Sequence, residues 1–385
     1  MQIIPIASGK GGVGKTLVAT NLAVALASYG KQVVLADLDL GASNLHLTLG
    51  QSGVRTGIGT FLLDSKLKFD DIILPTEYEN LRFIPGDAEI PGMANLKSGQ
   101  KAKLIRRLYG VDADYLIADL GAGTNFNTLD FFLTSSRGML VTTPTLTATL
   151  NAYLFLKNTV FRVMGNSFKK GSAAAAYLDS FRKEGNQLQR VYIPRLLEKI
   201  SREDPQSYEQ FQETMRSFRP MLVMNMLEDP KDARKAEKIR RSCREYLGID
   251  MEHLGVIYYD HLQEIALSSR LPIVAYKPAS VLSQAVYRMA DKIIQHKEEE
   301  QSGLLNFNNL EQSYETAEME AEVDFDAKVQ DLENLLHSGA LTRGDLIDTI
   351  RAQQYEVGAL KKENQLLKSR LMKAAEQGFK QGFKV

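Results

Sequence analysis

Gly9-Lys10-Gly11-Gly12-Val13-Gly14-Lys15-Thr16 follows the apolar run Gln2-Ile-Ile-Pro-Ile-Ala-Ser8 and opens into a helical pattern that reaches Tyr29. The spacing is G-x-x-x-x-G-K-[ST], and its context, a strand before and a helix after, is that of a phosphate-binding loop. Glycines let the backbone close around an anion so that successive N–H groups point inward, and the helix N-terminus adds partial positive charge. In such a loop Lys15 contacts the β and γ phosphates of ATP, and the Thr16 hydroxyl is a ligand for Mg²⁺.

Working outward, Gln32-Val-Val-Leu-Ala-Asp37, Tyr115-Leu-Ile-Ala-Asp119, Met139-Leu-Val-Thr-Thr143, Met221-Leu-Val-Met-Asn225 and Leu254-Gly-Val-Ile257 are further short apolar runs. They read as buried strands. Helical patterns separate them, the first closed by Gly30, where a left-handed cap is wanted. Strand then helix, repeated to about Gln295, predicts an α/β fold: a doubly wound, mostly parallel sheet covered on both faces. Ligands of such sheets sit at the carboxyl ends of the strands. Ser8, Asp37, Asp119 and Asn225 fall at or near those ends.

The chain has 385 residues, with Lys+Arg 47 balanced by Asp+Glu 47, so no net basic charge argues for nucleic acid. A single cysteine, Cys243, excludes an intrachain disulfide framework and fits a reducing cytoplasm. Met1 to Ala7 lacks a basic n-region and does not read as a signal peptide. Gly138 to Leu156 is uncharged and long enough to span a bilayer, but its threonines, Asn151 and Pro144 favour a buried strand followed by a helix.

Residues 1–296 are expected to form the ATPase domain. Between about Phe161 and Arg219 no strand pattern occurs, only helical patterns with polar breaks. This stretch is too long for an ordinary connection and reads as a helical insertion, for partner binding or for plain packing. Residues 297–340, dominated from Glu311 to Glu333 by Glu and Asp, read as a solvated acidic linker with room for short helices. Residues 341–378 carry a heptad with Leu346, Gln353, Leu360 and Leu367 at d and Ile350, Val357, Asn364 and Leu371 at a. Glu356 and Glu363 at g would face Lys361 and Lys368 at e of a partner strand, and one Asn at an a position fixes a parallel two-stranded register. The alternative is a single amphipathic helix folded back on the body. Residues 379–385 are a basic tail, a weak membrane-surface anchor or a frayed end.

With its second lysine, Lys10, the loop resembles the deviant Walker A loop of the MinD/ParA family of ATPases. The resemblance implies that Lys10 reaches across an ATP-dependent homodimer to the partner's phosphates. Asp37-Leu-Asp39-Leu-Gly41-Ala-Ser-Asn44 is similar to the family's D-x-D-x-G-x-x-N segment. It implies Asp37 near Mg²⁺, and Asp39, assisted by Asn44, positioning the attacking water. A carboxylate suits that task, since phosphoryl transfer needs an aligned water more than a strong base. Read from the residues alone, either aspartate is also a candidate turn or helix cap. Asp119-Leu-Gly121-Ala-Gly123 resembles the family's Walker B and switch II: Asp119 holds Mg²⁺ through water and the Gly123 N–H senses the γ phosphate. Asn225 matches a position used for adenine. Tyr258 stands where the family often has proline; stacking on the base and ordinary burial are both open.

The segment from Asp112 to Phe132, with Val141-Thr-Thr-Pro144 and Asn151-Ala-Tyr153, looks most like the FlhG (FleN) branch, near MinD. FlhG proteins usually carry an activating segment before the loop and MinD ends in a membrane helix; neither pattern is matched here, and Thr145 replaces a frequent glutamate. The implied function is an ATP-hydrolysing spatial regulator, first of flagellar number or placement, working with a protein that stimulates hydrolysis, in the cytoplasm or at the inner membrane face or a cell pole. Division-site and chromosome- or plasmid-partitioning ATPases are the alternatives. Non-specific DNA binding would rest on the basic cluster from Lys231 to Arg244, which equally fits a solvated helix face. A metal-cluster carrier on the same fold needs cysteines this sequence does not supply, Cys243 lying far from the switch motifs.

Overall fold

Side chains along a strand alternate between faces, so Ile4 and Ile6 of the first strand enter one apolar cluster while Ile3 and Ala7 enter another. Both clusters are buried, which is why the run is apolar throughout rather than every second residue. In the computed structural model, which describes residues 1–51, 56–87, 95–183, 191–302, 309–338 and 342–380, eight strands make one sheet. They are β1 (Gln2–Ala7), β2 (Val33–Leu38), β3 (Leu74–Pro75), β4 (Leu81–Ile84), β5 (Tyr115–Leu120), β6 (Met139–Thr142), β7 (Met221–Leu227) and β8 (Glu252–Tyr258). Their order is β3-β4-β2-β5-β1-β6-β7-β8, parallel except for β3 against β4. The expected α/β architecture is thus present. From β5 the chain crosses β1 to reach β6, so the carboxyl ends of β1 and its neighbours lie where the connections diverge.

The helices in chain order are α1 (Lys15–Ser28), α2 (Leu45–Thr48), α3 (Ile58–Leu63), α4 (Ser98–Tyr109), α5 (Phe126–Phe132), α6 (Leu146–Ser167), α7 (Ala173–Lys183), α8 (Ile193–Glu203), α9 (Pro205–Ser217), α10 (Lys235–Leu247), α11 (Leu262–Ser268), α12 (Ile273–Tyr276), α13 (Val281–Ser302), α14 (Asn309–His337) and α15 (Arg343–Lys380). α1 and α13 cover one face of the sheet; α4, α5, α6 and α10 cover the other. No described helix is long and apolar enough to cross a membrane, and Gly138 to Leu156 is β6 followed by α6.

The expected insertion at 161–219 begins inside α6 and continues as α7, α8 and α9, with 184–190 outside the described residues. Phe168, Leu178, Leu196, Ile200, Phe211 and Met215 are buried in the sheet's own core, so its inner side is a packing layer.

The acidic stretch differs from the expected solvated linker. It forms the helix α14, whose first half belongs to a compact unit running from Met1 to Phe325 rather than ending at 296. Tyr314, Ala317 and Ala321, spaced three and four apart, make a buried stripe among the acids. Acids beside the stripe meet bases of the body: Asp324 lies 2.5 Å from Arg288, Glu320 2.8 Å from Lys292 and Glu318 3.3 Å from Arg234. The Tyr258 hydroxyl donates to the Ala321 carbonyl at 2.7 Å.

From Asp326 a second unit comprises the end of α14 and the 38-residue α15. Residues 381–385, most of the expected basic tail, lie outside the described residues.

Candidate nucleotide-binding site

β1 delivers the chain into the glycine loop, and contacts on both sides fix its path. A Cβ on Gly9 would lie 2.1 Å from the Asn151 carbonyl oxygen, so the loop begins pressed against the backbone of α6, where only glycine fits. At the other end Gly14, with φ 82°, caps α1 in a left-handed conformation. A Cβ there would lie 2.1 Å from the Asn225 amide nitrogen, which donates to the Val13 carbonyl at 2.8 Å. Ser8 Oγ donates to the Lys10 carbonyl at 2.9 Å. Lys10, Gly11 and Gly12 are exposed, leaving the loop's outer rim open.

Asp37 and Asp119 are register partners on the adjacent strands β2 and β5, so parallel pairing alone sets two buried carboxylates side by side beneath the loop. Lys15 Nζ lies 2.5 Å from Asp119 Oδ1, and Thr16 Oγ1 donates to Asp119 Oδ2 at 2.7 Å. Asp37 accepts from Ser43 Oγ at 2.6 Å and from the N–H groups of Asp39 and Leu45 at 3.1 and 3.3 Å. Burial, with the Asp119 charge adding to it, pushes the Asp37 carboxyl up to about 7 despite those donors. Burial raises Asp119 as well, with the Lys15 ammonium pulling the other way.

A hydroxyl and paired carboxylates are hard oxygen donors, the set that suits Mg²⁺. Among the described residues no three Asp, Glu, His or Cys side chains converge into a ready cage. Mg²⁺ takes one or two protein oxygens and completes its shell with water and phosphate. The residues present therefore fit the metal: Thr16 and Asp119, with Asp37 beside them, would hold it.

Asp39 faces the loop after β5, its Oδ1 standing 3.2 Å from a Cβ built on Gly121. The Gly123 N–H, expected to face phosphate, donates to the Ser8 carbonyl at 3.0 Å and ties this loop to the end of β1. Asn44 is not brought to Asp39: it is exposed and donates to the Ala42 carbonyl at 3.1 Å. Tyr258 is buried, with its ring 6.2 Å from that of Phe325, which favours burial over stacking on a base. Cys243 is buried within α10, its thiol pushed up to about 12 by burial. The sequence reading missed Ser43 and Asn151. Ser43 lies within the D-x-D-x-G-x-x-N segment as an unspecified position, and Asn151 acts through its backbone, which no side-chain pattern reports.

Residues 4–273 match the family described as the CobQ/CobB/MinD/ParA nucleotide binding domain. The antiactivator FleN of Pseudomonas aeruginosa is 32% identical over 175 residues, covering 43% of this chain and 61% of FleN. The flagellum site-determining protein YlxH of Helicobacter pylori is 33% identical over 161 residues, 40% of this chain and 53% of YlxH. The septum site-determining protein MinD of Synechocystis is 35% identical over 153 residues, 39% of this chain and 56% of MinD. The chain thus spans little more than half the length of these relatives. Among solved structures, MinD complexed with Mg-ADP from Pyrococcus horikoshii matches with a TM-score of 0.51 at 22% identity, over 76% of this chain and 95% of that one. A ParA family ATPase from Chlorobium tepidum matches with 0.51 at 18% identity, over 75% and 97%; these two likenesses establish the fold. Sheet order, loop and family match agree, and the chain belongs to the CobQ/CobB/MinD/ParA nucleotide-binding family.

Proposed function

We propose that the chain is an ATP-hydrolysing switch that closes with a second copy around bound ATP and, in that state, is read by a protein partner to control the number or placement of flagella. The observation that carries the nucleotide reading is the meeting of the clamped glycine loop, Lys15, Thr16 and the Asp37–Asp119 pair at the carboxyl end of the sheet. Lys15 exchanges its Asp119 partner for the β and γ phosphates. Thr16 and Asp119 orient the metal, with Asp37 beside them. Mg²⁺, when bound, neutralises charge on the transferring phosphoryl group. Asp39, beside Gly121, orients the attacking water in line. Exposed Lys10 reaches the phosphates held by the partner copy and adds positive charge where it develops in the transition state. Asn225 supports the loop from beneath and lies near the base.

Fluorescent-ATP titration and phosphate release test this reading. Lys15→Ala is expected to lose Mg-ATP binding. Lys10→Ala is expected to keep ATP binding and lose at least about tenfold in turnover, about 1.4 kcal/mol of transition-state stabilisation. Turnover unchanged in Lys10→Ala would refute the shared-site mechanism.

The flagellar role is supported by the identities with FleN and YlxH. The 35% identity with MinD supports a second reading, placement of the division site. Cells lacking the chain distinguish them under the electron microscope: altered flagellar number or position supports the first, normal flagella with misplaced septa the second.

A further inference from the structure

We propose that α15 pairs with α15 of a second copy as a parallel, in-register two-stranded coil whether or not nucleotide is bound, so that the two nucleotide-binding bodies are permanently tethered. The inference goes beyond the ATP switch and does not rest on it.

α15 runs unbroken from Arg343 to Lys380, which at helical rise is about 57 Å. Among the described residues, the apolar positions of its seam lie open to solvent. Ile350 and Val357 at a are 51% and 48% exposed, and Leu360 and Leu367 at d are 51% and 51% exposed. That is the fraction left when a helix shields only one side of its own side chains. Repetition at seven residues puts these four on one narrow stripe that drifts by about 20° per heptad on a straight helix, so two such helices keep their stripes together by coiling left-handedly.

Charge selects the occupant and its direction. In a parallel pair in register, Glu356 and Glu363 at g fall opposite Lys361 and Lys368 at e of the partner, and two-fold symmetry repeats both contacts. In an antiparallel pair g faces g and e faces e, which sets glutamate against glutamate and lysine against lysine. Asn364 at a discriminates in the same sense. In register it meets its own copy and each amide finds a partner; shifted or reversed, it is buried against leucine with nothing to bond. A helix folded back on the body would use the same apolar stripe but gives the matched g and e charges no role. Helix α15 is thus complementary to itself.

A tether of this kind turns closure of the two bodies into an intramolecular event, with an effective concentration set by the joint rather than by the protein concentration.

Sedimentation of the full chain without nucleotide is expected to give twice the 43.0 kDa chain mass, and a single-chain mass would overturn the proposal. The double variant Val357→Lys/Leu360→Lys is expected to sediment at the single-chain mass with an unchanged melting profile for the body; a persistent dimer would overturn the assignment to α15. Register is read by Asn364→Cys, which is expected to form a covalent dimer under mild oxidation, while outward-facing Lys362→Cys is not. Cys243, being buried, contributes no background. A dimer in which Asn364→Cys fails to cross-link would overturn the parallel arrangement. Loss of ATP binding or turnover would leave all three results unaffected, so the coil and the switch stand or fall separately.

Discussion

The Asn225 amide nitrogen occupies the space that a side chain on Gly14 would need, 2.1 Å from its Cβ position, while bonding to the Val13 carbonyl. The two residues are therefore coupled. Gly14→Ala should strain a left-handed position at a cost of about 1–2 kcal/mol and push the amide aside. Asn225→Ala should lose about 1–3 kcal/mol by stranding a buried carbonyl. Because the second change vacates the space the first invades, the double variant should be less damaged than the sum of the singles. Urea unfolding and ATP titration of all four proteins check this; strict additivity would show that the contact does not shape the loop.

The Lys15–Asp119 pair is almost wholly buried, which makes the two partners unequal to lose. Asp119→Asn leaves the ammonium without its charge partner, and breaking a buried pair in this way costs about 3–5 kcal/mol. Lys15→Met leaves a carboxyl that burial already pushes upward, so it escapes the penalty by taking a proton. Lys15→Met should therefore regain stability as the pH is lowered from 8 toward about 4, the ordinary carboxylate value, and Asp119→Asn should not. Denaturant midpoints at the two pH values give the answer, and parallel behaviour of the variants would contradict it.

The loop, β1, β2 and β5 were legible because each is an apolar run ending in a chemically distinctive residue, and the two ends, Asp37 and Asp119, meet by register alone. β4 was not. Leu81-Arg-Phe-Ile84 is four residues long, with half-buried Arg82 in its middle, and it gains strand character only from pairing with β2. The first half of α14 was misread for another reason. Its acids are interleaved with its apolar residues, and the bases that neutralise them, Arg234, Arg288 and Lys292, are neighbours only in the folded chain. Asn44, a motif position expected to assist Asp39 in positioning water, gives its amide to the Ala42 carbonyl in the local turn.

Tyr258 joins β8 to α14 through its hydroxyl, so Tyr258→Phe tests the docking of the acidic helix without changing the packed volume. The expected loss is about 1 kcal/mol in the unfolding free energy of the body. Arg288→Ala should cost more, because it strips the half-exposed partner from Asp324, whose carboxylate is buried. Both should speed protease cleavage between 309 and 325, Arg288→Ala the faster. Unchanged cleavage in both variants would mean that the apolar stripe of Tyr314, Ala317 and Ala321 holds the helix unaided.

His253 on β8 is buried with its ring 5.1 Å from that of Tyr314 on α14, and its backbone N–H donates to Ser313 Oγ at 3.1 Å. Burial first, and then the Lys292 charge, push its imidazole down from 6.5 to about 3. Between those values the unfolded chain takes up a proton that the folded chain refuses. The stability this contributes is complete above pH 6.5 and is lost as the pH falls toward 3; at pH 5 the loss is about 2 kcal/mol. Native carboxylates weaken the fold in the same direction, so the readout is a difference. His253→Gln, which cannot titrate, should lose about 2 kcal/mol less than the wild-type chain between pH 7.5 and 5 in urea unfolding. Equal losses would mean that the folded protein accepts the proton, and hence that this corner of the core admits charge.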